Sequence, residues 1–259
     1  MKGFAVVTGA TSGIGKEFAK KFADEGYPVL LIGRNIKKLE ELKNELEEEY
    51  QPQKVETIVA NLANKEDVEE ASMLLEDYTI DIFVNNAGFG LCGEFLETDL
   101  NGEEEMIRVN IMALTHFTKV VLRKMVKREC GNIINMGSIA SFMPNPLGSV
   151  YAATKAYVLS FSQAVNEEIR GTGVNITTLC PGPTATAFGN KSGMGDTIAF
   201  SREMSPKEVV DIGYEAMKKG KRKIVPGIGN KLLVRLSILA PVAIVLVLAK
   251  LSLKKRDNE

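Results

Sequence analysis

The sequence contains few of the residues that build disulfide frameworks and metal sites. Among its 259 residues are three cysteines, Cys92, Cys130 and Cys180, which are odd in number and widely spaced, and a single histidine, His116. This composition argues against a disulfide framework, and we expect no metal site built from cysteine and histidine. Free thiols favour a reducing compartment, so the expected location is cytoplasmic.

The sequence also has no excess of charge of one sign. It carries 32 Lys and Arg residues against 33 Asp and Glu residues, for a formal net charge of -1. This balance gives no electrostatic reason to expect a nucleic-acid partner. The first residues, MKGFAVVTGA, show no charged leader followed by an apolar run and a cleavage site, so we expect no secretory signal.

Short apolar runs alternate along the chain with longer segments of helical periodicity. Six strand candidates lie at residues 4–7, 28–32, 55–59, 80–84, 132–136 and 174–179. Most are continuously apolar, which is typical of strands that are buried on both faces of a parallel sheet. Between them, Leu39, Leu42 and Leu46 mark the apolar face of a helix. The alternation predicts an α/β fold of the Rossmann type, a doubly wound parallel β-sheet with helices on both faces in a single domain.

The composition changes after Asn230, so we divide the chain into an α/β domain at residues 1–230 and an apolar segment at residues 231–259. Between residues 232 and 253 the charged residues are Arg235 and Lys250, and Lys254, Lys255 and Arg256 follow. From residue 236 to residue 249 the apolar side chains surround the helix, which Pro241 would kink. At ~1.5 Å per residue this stretch is shorter than a bilayer core. The pattern predicts contact with a membrane surface through residues 232–256, without spanning. The alternatives are a wall of the substrate pocket or a dimer arm.

The first strand candidate ends in a glycine-rich turn that leads into a helical pattern. The turn contains Gly9, Thr11, Ser12, Gly13, Ile14 and Gly15. A strand, a glycine turn and a helix place backbone N–H groups and the positive end of a helix dipole against a pyrophosphate. Tight turns of other α/β folds also use glycine, so the turn alone leaves a purely structural role open.

The end of the second strand indicates which dinucleotide is bound. Gly33, Arg34 and Asn35 stand there, with no carboxylate to hold the adenosine ribose hydroxyls. A guanidinium at this place suits a 2′-phosphate, so the sequence predicts NADP(H) as the cofactor. The alternative is that Arg34 is an ordinary solvated arginine.

Several separated motifs together resemble those of the short-chain dehydrogenase/reductase family, from about Gly3 to Arg222. Residues 8–15 fit the family's TGxxxGxG turn, residues 85–88 its NNAG segment, residues 151–155 its YxxxK motif and residues 181–186 its PGxxxT turn. Ser138 stands thirteen residues before Tyr151, a usual family spacing, and Asn110 matches the asparagine of the long central helix. One position departs from the pattern, because Asn61 replaces an aspartate that bonds the adenine amino group in many members. The amide oxygen is also an acceptor, so we expect that bond to be weakened rather than lost.

The resemblance implies a catalytic set of Ser138, Tyr151, Lys155 and Asn110. Tyr151 and Lys155 are one helical turn apart, so the ammonium can lie near the phenol and lower its pKa towards the working range. We expect Tyr151 to be the general acid in reduction, and Ser138 to stabilise charge on the substrate oxygen. By resemblance, Lys155 also holds the nicotinamide ribose and Asn110 binds a water that links Lys155 to solvent. Taken singly, Tyr151 can be a packed aromatic, Ser138 a helix cap and Asn110 a turn residue.

The resemblance also implies a set of cofactor-binding positions. They are Gly9, Thr11, Ser12, Gly13, Ile14, Gly15, Arg34, Asn35, Asn61, Leu62, Asn86, Ala87, Gly88, Tyr151, Lys155, Pro181, Gly182, Thr184 and Thr186. In this family the stretch at about residues 189–205 is a lid over the substrate, and here it contains Met194, Phe200 and Met204. Such side chains favour an adaptable, apolar lining.

The sequence therefore predicts an NADP(H)-dependent oxidoreductase that reduces a ketone or aldehyde on a hydrophobic substrate, such as a steroid, a long-chain ketone or a xenobiotic carbonyl compound. The alternatives are a 3-ketoacyl reductase and a catalytically idle nucleotide-binding protein with an interaction surface. The resemblance also implies a homodimer or homotetramer, in which the helices carrying Asn110 and Tyr151 pair with their copies. The apolar residues compatible with that pairing are Ile111, Leu114, Val121, Val158, Phe161 and Val165.

Overall fold

The computed structural model describes residues 2–52 and 54–254. Within these residues the chain forms a seven-stranded sheet with the order β3-β2-β1-β4-β5-β6-β7, and every neighbouring pair is parallel. The strands are β1 (Phe4–Thr8), β2 (Val29–Gly33), β3 (Val55–Val59), β4 (Ile80–Asn85), β5 (Gly131–Met136), β6 (Val174–Leu179) and β7 (Lys223–Ile224). The predicted doubly wound parallel sheet is confirmed. Each of the six strand candidates corresponds to one of β1 to β6.

Helices cover both faces of the sheet. They are α1 (Gly13–Asp24), α2 (Ile36–Tyr50), α3 (Lys65–Leu74), α4 (Leu100–Ile107), α5 (Leu114–Lys127), α6 (Ser149–Glu168), α7 (Ala187–Ser192), α8 (Pro206–Lys218), α9 (Ile228–Leu239) and α10 (Val242–Ser252). Short 3-10 turns occur at Leu75–Asp77, Ile139–Phe142 and Ile198–Ser201, and a π-helical segment, Arg108–Ala113, joins α4 to α5. The helix predicted from Leu39, Leu42 and Leu46 is α2, and all three leucines are buried.

Burial on both faces explains why the strands are continuously apolar. In β1, Ala5 and Val7 belong to the core that α1, α2 and α8 cover, whereas Val6 belongs to the core on the opposite face. Successive strand side chains point to opposite faces, so a sheet covered on both sides needs an apolar residue at every position. The edge strand β7 was missed because two residues, one of them a lysine, carry no periodic signal.

The expected dimer faces need a correction. Leu114, Val121 and Val158 are buried inside the single chain, so they are not available to a partner. Their helices turn these side chains towards the monomer's own core, which a helical pattern alone does not distinguish from an interface. Met112 and Tyr157 are large apolar or aromatic side chains of this region that remain exposed. Self-association stays a prediction.

The segment after Asn230 forms two helices instead of one kinked helix. α9 ends at Leu239 and α10 begins at Val242, with Pro241 as its N-cap. Proline restricts the residue before it and lacks an N–H donor, which ends a helix at this point. Among the described residues, none of the helices is both long enough and apolar enough to cross a bilayer. Two members of the predicted basic cluster, Lys255 and Arg256, lie outside the described residues.

Candidate active site

A continuous cavity of about 960 Å³ lies at the carboxyl ends of the strands. Residues that follow each of the first six strands line it, namely Gly9, Arg34, Asn61, Asn86, Ser138 and Pro181. The sheet order reverses between β1 and β4, and the loops there leave on opposite sides and open a crevice. This cavity thus lies at the place where α/β sheets bind ligands.

Most of the predicted site residues line this cavity. They are Gly9, Thr11, Ser12, Gly13, Ile14, Arg34, Asn61, Leu62, Asn86, Ala87, Gly88, Ser138, Tyr151, Lys155, Pro181, Gly182, Thr184 and Thr186. Gly15, Asn35 and Asn110 are not among the lining residues. Gly15 is buried beneath the turn, and the Asn35 side chain caps α2 by accepting a hydrogen bond from the Lys38 N–H at 3.0 Å.

The glycine turn after β1 lies tightly against the segment after β4. Gly9 has a φ of +64°, and a Cβ added to it would lie 2.9 Å from the Ala87 Cα. A Cβ at Gly15 would lie 2.4 Å from both the Asn86 Nδ2 and the Gly9 carbonyl oxygen. These two approaches require glycine. The turn is therefore shaped by contacts within the chain as well as by any ligand.

The amino end of α1 has the properties of an anion-binding site. Ser12 is the N-cap residue, but its side chain makes no capping hydrogen bond, and the first turn of the helix carries no acidic residue. The free N–H groups of a helix end attract negative charge. With the close glycine turn, this end of the cavity fits the pyrophosphate of a dinucleotide.

The rim of the cavity at the end of β2 carries the predicted specificity residue, Arg34. Its side chain is 73% exposed, and its Nη1 lies 3.6 Å from the Glu105 Oε1. A surface ion pair of this kind is weak, so a phosphate can compete for the guanidinium. Asn61 lies nearby on the lining, and its side-chain oxygen accepts a hydrogen bond from the Ala63 N–H at 3.2 Å.

The three predicted catalytic side chains at the centre of the cavity are nearly buried. Tyr151 and Ser138 are each 8% exposed, and Lys155 is 5% exposed. Ser138 follows β5 and caps the next turn, because its Oγ accepts a hydrogen bond from the Ala140 N–H at 3.1 Å. It is therefore a cap and a lining residue at once. The Lys155 Nζ lies 5.9 Å from the centre of the Tyr151 ring and donates a hydrogen bond to the Met136 carbonyl at 2.9 Å.

The electrostatics of this pair differ from the expectation that Lys155 lowers the pKa of Tyr151. Burial raises the pKa of Tyr151 to about 12, although a hydrogen bond with Ser138 acts in the opposite direction. Burial also lowers the pKa of Lys155 to about 8. Desolvation disfavours the charged form of both groups. The hydrogen bond of the lysine goes to the Met136 carbonyl and not to the phenol. The expected direction for Tyr151 is therefore wrong for the protein without a ligand.

Asn110 lies behind the lining, in the π-helical segment. Its Oδ1 accepts from the Phe89 N–H at 3.1 Å, and its Nδ2 donates to the Phe89 carbonyl at 2.9 Å and to the Thr154 Oγ1 at 3.0 Å. A Cβ added at Gly88 would lie 2.8 Å from the Asn110 Oδ1 and 3.4 Å from the Lys155 Nζ. Asn110 thus joins the loop after β4 to α6 beside the lysine. Such π-helical turns are frequent at functional sites.

The other end of the cavity is apolar. The Tyr151 and Phe188 rings lie 5.6 Å apart, and Met194 and Leu253 pack in the same buried cluster as Tyr151. Residues 228–254, which we call the arm, line this end through side chains of α9 and α10. The arm is a wall of the cavity, as one of the sequence alternatives stated. Met143 and Asn145 also line the cavity and were missed, because no motif marks the loop that carries them.

Two other residues noted in the sequence, His116 and Cys180, are not among the lining residues of the cavity. His116 is partly buried and packs edge-on against Phe117, with 6.2 Å between the ring centres. Cys180 is fully buried, and burial raises the pKa of its thiol to about 12, which makes it a poor nucleophile.

Comparison with known proteins agrees with the sheet topology and the motifs. A family model described as short chain dehydrogenase matches residues 3–196. An uncharacterized oxidoreductase of Staphylococcus saprophyticus is 33% identical over 217 residues, which cover 83% of this chain and 91% of that protein. A very-long-chain 3-oxoacyl-CoA reductase of Anas platyrhynchos is 37% identical over 188 residues, which cover 71% of this chain and 60% of that protein. The structure of a short-chain dehydrogenase from Sphingobium yanoikuyae in complex with NADPH matches with a TM-score of 0.81 and 31% identity, covering 87% of this chain and 88% of that chain.

The depressed pKa of Lys155 predicts a pH-dependent effect of Lys155→Met on stability. Below about pH 8 the lysine is charged in both the folded and unfolded states, so the wild type carries the full cost of burying the charge. As the pH rises towards 10.5, the folded state loses its proton first, and this cost disappears. In urea titrations, the free energy of unfolding of Lys155→Met relative to wild type should fall by about 3 kcal/mol between these limits.

A matched control for this prediction is Lys127→Met, because Lys127 is exposed on α5. Its charge is solvated in both states, so its difference from wild type should stay constant with pH. A constant difference for Lys155→Met as well would contradict the cost assigned to burial.

Proposed function

The chain belongs to the short-chain dehydrogenase family of oxidoreductases, and we propose that it is an NADP(H)-dependent reductase that converts a ketone or aldehyde of a hydrophobic compound to the alcohol. The observation that carries this proposal is the placement of Ser138, Tyr151 and Lys155, nearly buried, in the same cavity as the glycine turn. When bound, NADPH supplies the hydride. The glycine turn and the amino end of α1 would hold its pyrophosphate, and Arg34 its 2′-phosphate.

Tyr151 is the proposed proton donor. Because its pKa is raised to about 12, the phenol keeps its proton at neutral pH and can donate it to an oxygen that becomes basic during reduction. Ser138 would donate a hydrogen bond to the same oxygen and stabilise its developing charge. Lys155 has a pKa of about 8, so its Nζ can lose and regain a proton near neutral pH. These properties suit the lysine to resupplying the proton that Tyr151 gives up.

A second candidate function is the reduction of a 3-ketoacyl thioester. Two observations favour it: the similarity to a very-long-chain 3-oxoacyl-CoA reductase, and the exposed cations Lys191 and Arg202 on the cavity lining. Cations at the cavity mouth suit the phosphates of an acyl carrier. Following NADPH oxidation with steroids, acyl-CoA thioesters and simple aldehydes separates the candidates. Tight NADPH binding without turnover of any of them would instead favour the catalytically idle alternative.

The Tyr151→Phe variant tests the proton donor. Removing the hydroxyl removes the acid and hardly changes the shape, so turnover should fall on the order of 10²–10⁴-fold. NADPH binding, measured by fluorescence titration, should remain close to that of the wild type. Tyr157→Phe, at a partly exposed position on the same helix, is the matched control and should keep full activity. Full activity in Tyr151→Phe would refute the proposed role.

The Arg34→Ala variant tests the cofactor preference. The guanidinium can bond a 2′-phosphate, which NADH lacks, so the dissociation constant should rise much more for NADPH than for NADH. A charge-assisted hydrogen bond is worth about 1.5–3 kcal/mol, or roughly ten- to a hundredfold in affinity. Arg108→Ala, at an exposed arginine paired with Glu104, should leave the ratio of the two affinities unchanged. A wild type that binds NADH more tightly would contradict this interpretation of Arg34.

We also propose that the arm contacts a membrane surface. Its outward side chains are apolar and exposed, with Leu239 at 82%, Val242 at 61% and Val247 at 60%. Four cations, Lys231, Arg235, Lys250 and Lys254, and no acidic residue occur between residues 228 and 254. Apolar side chains flanked by lysine and arginine favour the interface of an anionic bilayer.

The absence of tryptophan from the chain allows a direct test of this contact. Leu239→Trp places a single indole on the outward face of the arm, and its fluorescence should shift to shorter wavelength when phosphatidylglycerol vesicles are added. Leu96→Trp is the control, because Leu96 is 90% exposed and does not belong to the arm. If neither indole responds and the protein does not float with the vesicles, the membrane proposal fails.

A further inference from the structure

The arm has two apolar sides with different surroundings. On the inner side, Val245, Ala249 and Leu253 line the cavity and are 6–7% exposed. On the outer side, Leu239, Val242 and Val247 contact no other part of the protein closely enough to be buried. A helix that is apolar all round is stable only where both sides are covered. The fold covers the inner side of the arm and leaves the outer side exposed.

The apolar end of the cavity reaches the surface through the arm. Leu236 of α9 and Leu248 of α10 both line the cavity, yet they are 56% and 61% exposed. The apolar wall of the substrate end is therefore continuous with the apolar outer surface of the arm. A compound with a long hydrocarbon chain can follow this wall without meeting a polar barrier.

Few polar interactions hold the arm to the rest of the protein. In the described part of the chain, its far end is joined to the stretch at residues 189–205 by a hydrogen bond from the Ile198 N–H to the Lys254 carbonyl, at 3.1 Å. At its near end, the Asn230 Nδ2 donates to the Pro226 carbonyl at 2.9 Å. Gly227, at a φ of +83°, precedes α9 and offers a conformationally permissive connection. The inner face is held mainly by apolar contact. This contact is favourable in water, because separation would expose apolar side chains, and it is not favoured in a bilayer, which is itself apolar.

We propose that the arm is a gate, which covers the apolar end of the cavity in water and moves away from it on an anionic membrane, so that a hydrophobic substrate enters the cavity from the bilayer. The inference rests on the proposed function and concerns how substrate reaches that site. In water, opening would expose the inner apolar side, which is unfavourable in proportion to the apolar area exposed. Against a bilayer the same side chains remain in an apolar medium, so this cost falls and the open state becomes more populated.

Charge favours a membrane over a second copy of the chain as the cover of the outer side. The four cations of the arm have no acidic neighbour within residues 228–254. Pairing two arms would bring like charges together, whereas anionic headgroups attract the cations. Vesicles of phosphatidylglycerol are therefore the probe, and vesicles of phosphatidylcholine are the control for charge.

A reversible crosslink tests whether the arm must move. Ile198→Cys and Lys254→Cys lie opposite each other at the hydrogen bond that holds the far end, and neither residue lines the cavity. The background carries Cys130→Ser, because Cys130 is an exposed thiol. The double variant Ile198→Ser and Lys254→Ser controls for the substitutions themselves. NADPH oxidation is followed with a long-chain methyl ketone dissolved in the vesicles and with cyclohexanone in water.

The oxidised enzyme should reduce the vesicle-borne ketone at least about tenfold more slowly than the reduced enzyme, because a closed segment then limits access to the site. A reductant should restore the rate, and NADPH affinity should be the same in both forms. The serine control should respond to neither oxidant nor reductant. If thiol titration shows that the crosslink has formed and the rate on vesicles is unchanged, the arm does not need to open and the inference is overturned.

A second measurement separates failure of the gate from failure of the proposed function. Spin labels at Leu239→Cys on the arm and Lys127→Cys on the body report the distance between them without any turnover. This distance should lengthen on phosphatidylglycerol vesicles and stay at its value in water on phosphatidylcholine. If the reduced enzyme acts on neither ketone, the proposed function fails, but the spin labels still decide whether the arm moves. A distance that stays constant on membrane-bound protein refutes the gate.

Discussion

The crevice at the centre of the molecule depends on hydrogen bonds that tie the loop after β4 to the end of β1. The Thr8 Oγ1 accepts bonds from the N–H groups of Asn86 and Ala87, each at 3.0 Å, and the Asn86 Nδ2 donates to the carbonyls of Thr8 and Gly9 at 2.9 and 3.1 Å. These are neighbouring strands at the point where the sheet order reverses. Because the two loops are fixed to each other, the glycine turn, α1 and the loop with Gly88 have a set spacing. The cavity is preorganised by these bonds before any ligand arrives.

Burial then determines the chemistry of the centre. The same desolvation raises the pKa of Tyr151 and lowers that of Lys155, so both groups are held towards their neutral forms. A neutral phenol suits a proton donor, and a lysine that titrates near neutral pH suits proton exchange. Cofactor and substrate would add charge and polar groups at this place, and the pKa values of the pair depend on them. In the proposed function, cofactor binding and proton transfer would therefore be linked electrostatically.

The sequence predicted the parts of the fold that carry a repeated or a local signal. The strands buried on both faces were visible as apolar runs, and the turn at Gly9 and the spacing of Tyr151 and Lys155 were visible as motifs. It did not predict β7, which is two residues long, or that Leu114, Val121 and Val158 face the chain's own core. Nor did spacing reveal that the Lys155 ammonium bonds the Met136 carbonyl, because that contact depends on how α6 packs on β5. For the arm, the sequence predicted contact with a membrane surface, and the alternative of a cavity wall is what the structure shows for its inner side.

The Asn110 side chain has a mechanical consequence. By bonding both the N–H and the carbonyl of Phe89 as well as the Thr154 hydroxyl, it connects the loop after β4 to the helix of Tyr151. The loop contributes Ala87 and Gly88 to the cavity lining, and the helix contributes Tyr151. A ligand that stiffens the first segment also narrows the range of positions open to the second. If the cavity performs the proposed function, part of the conformational entropy that the tyrosine must lose would be lost when the nucleotide binds, which would favour binding of the nucleotide before the substrate.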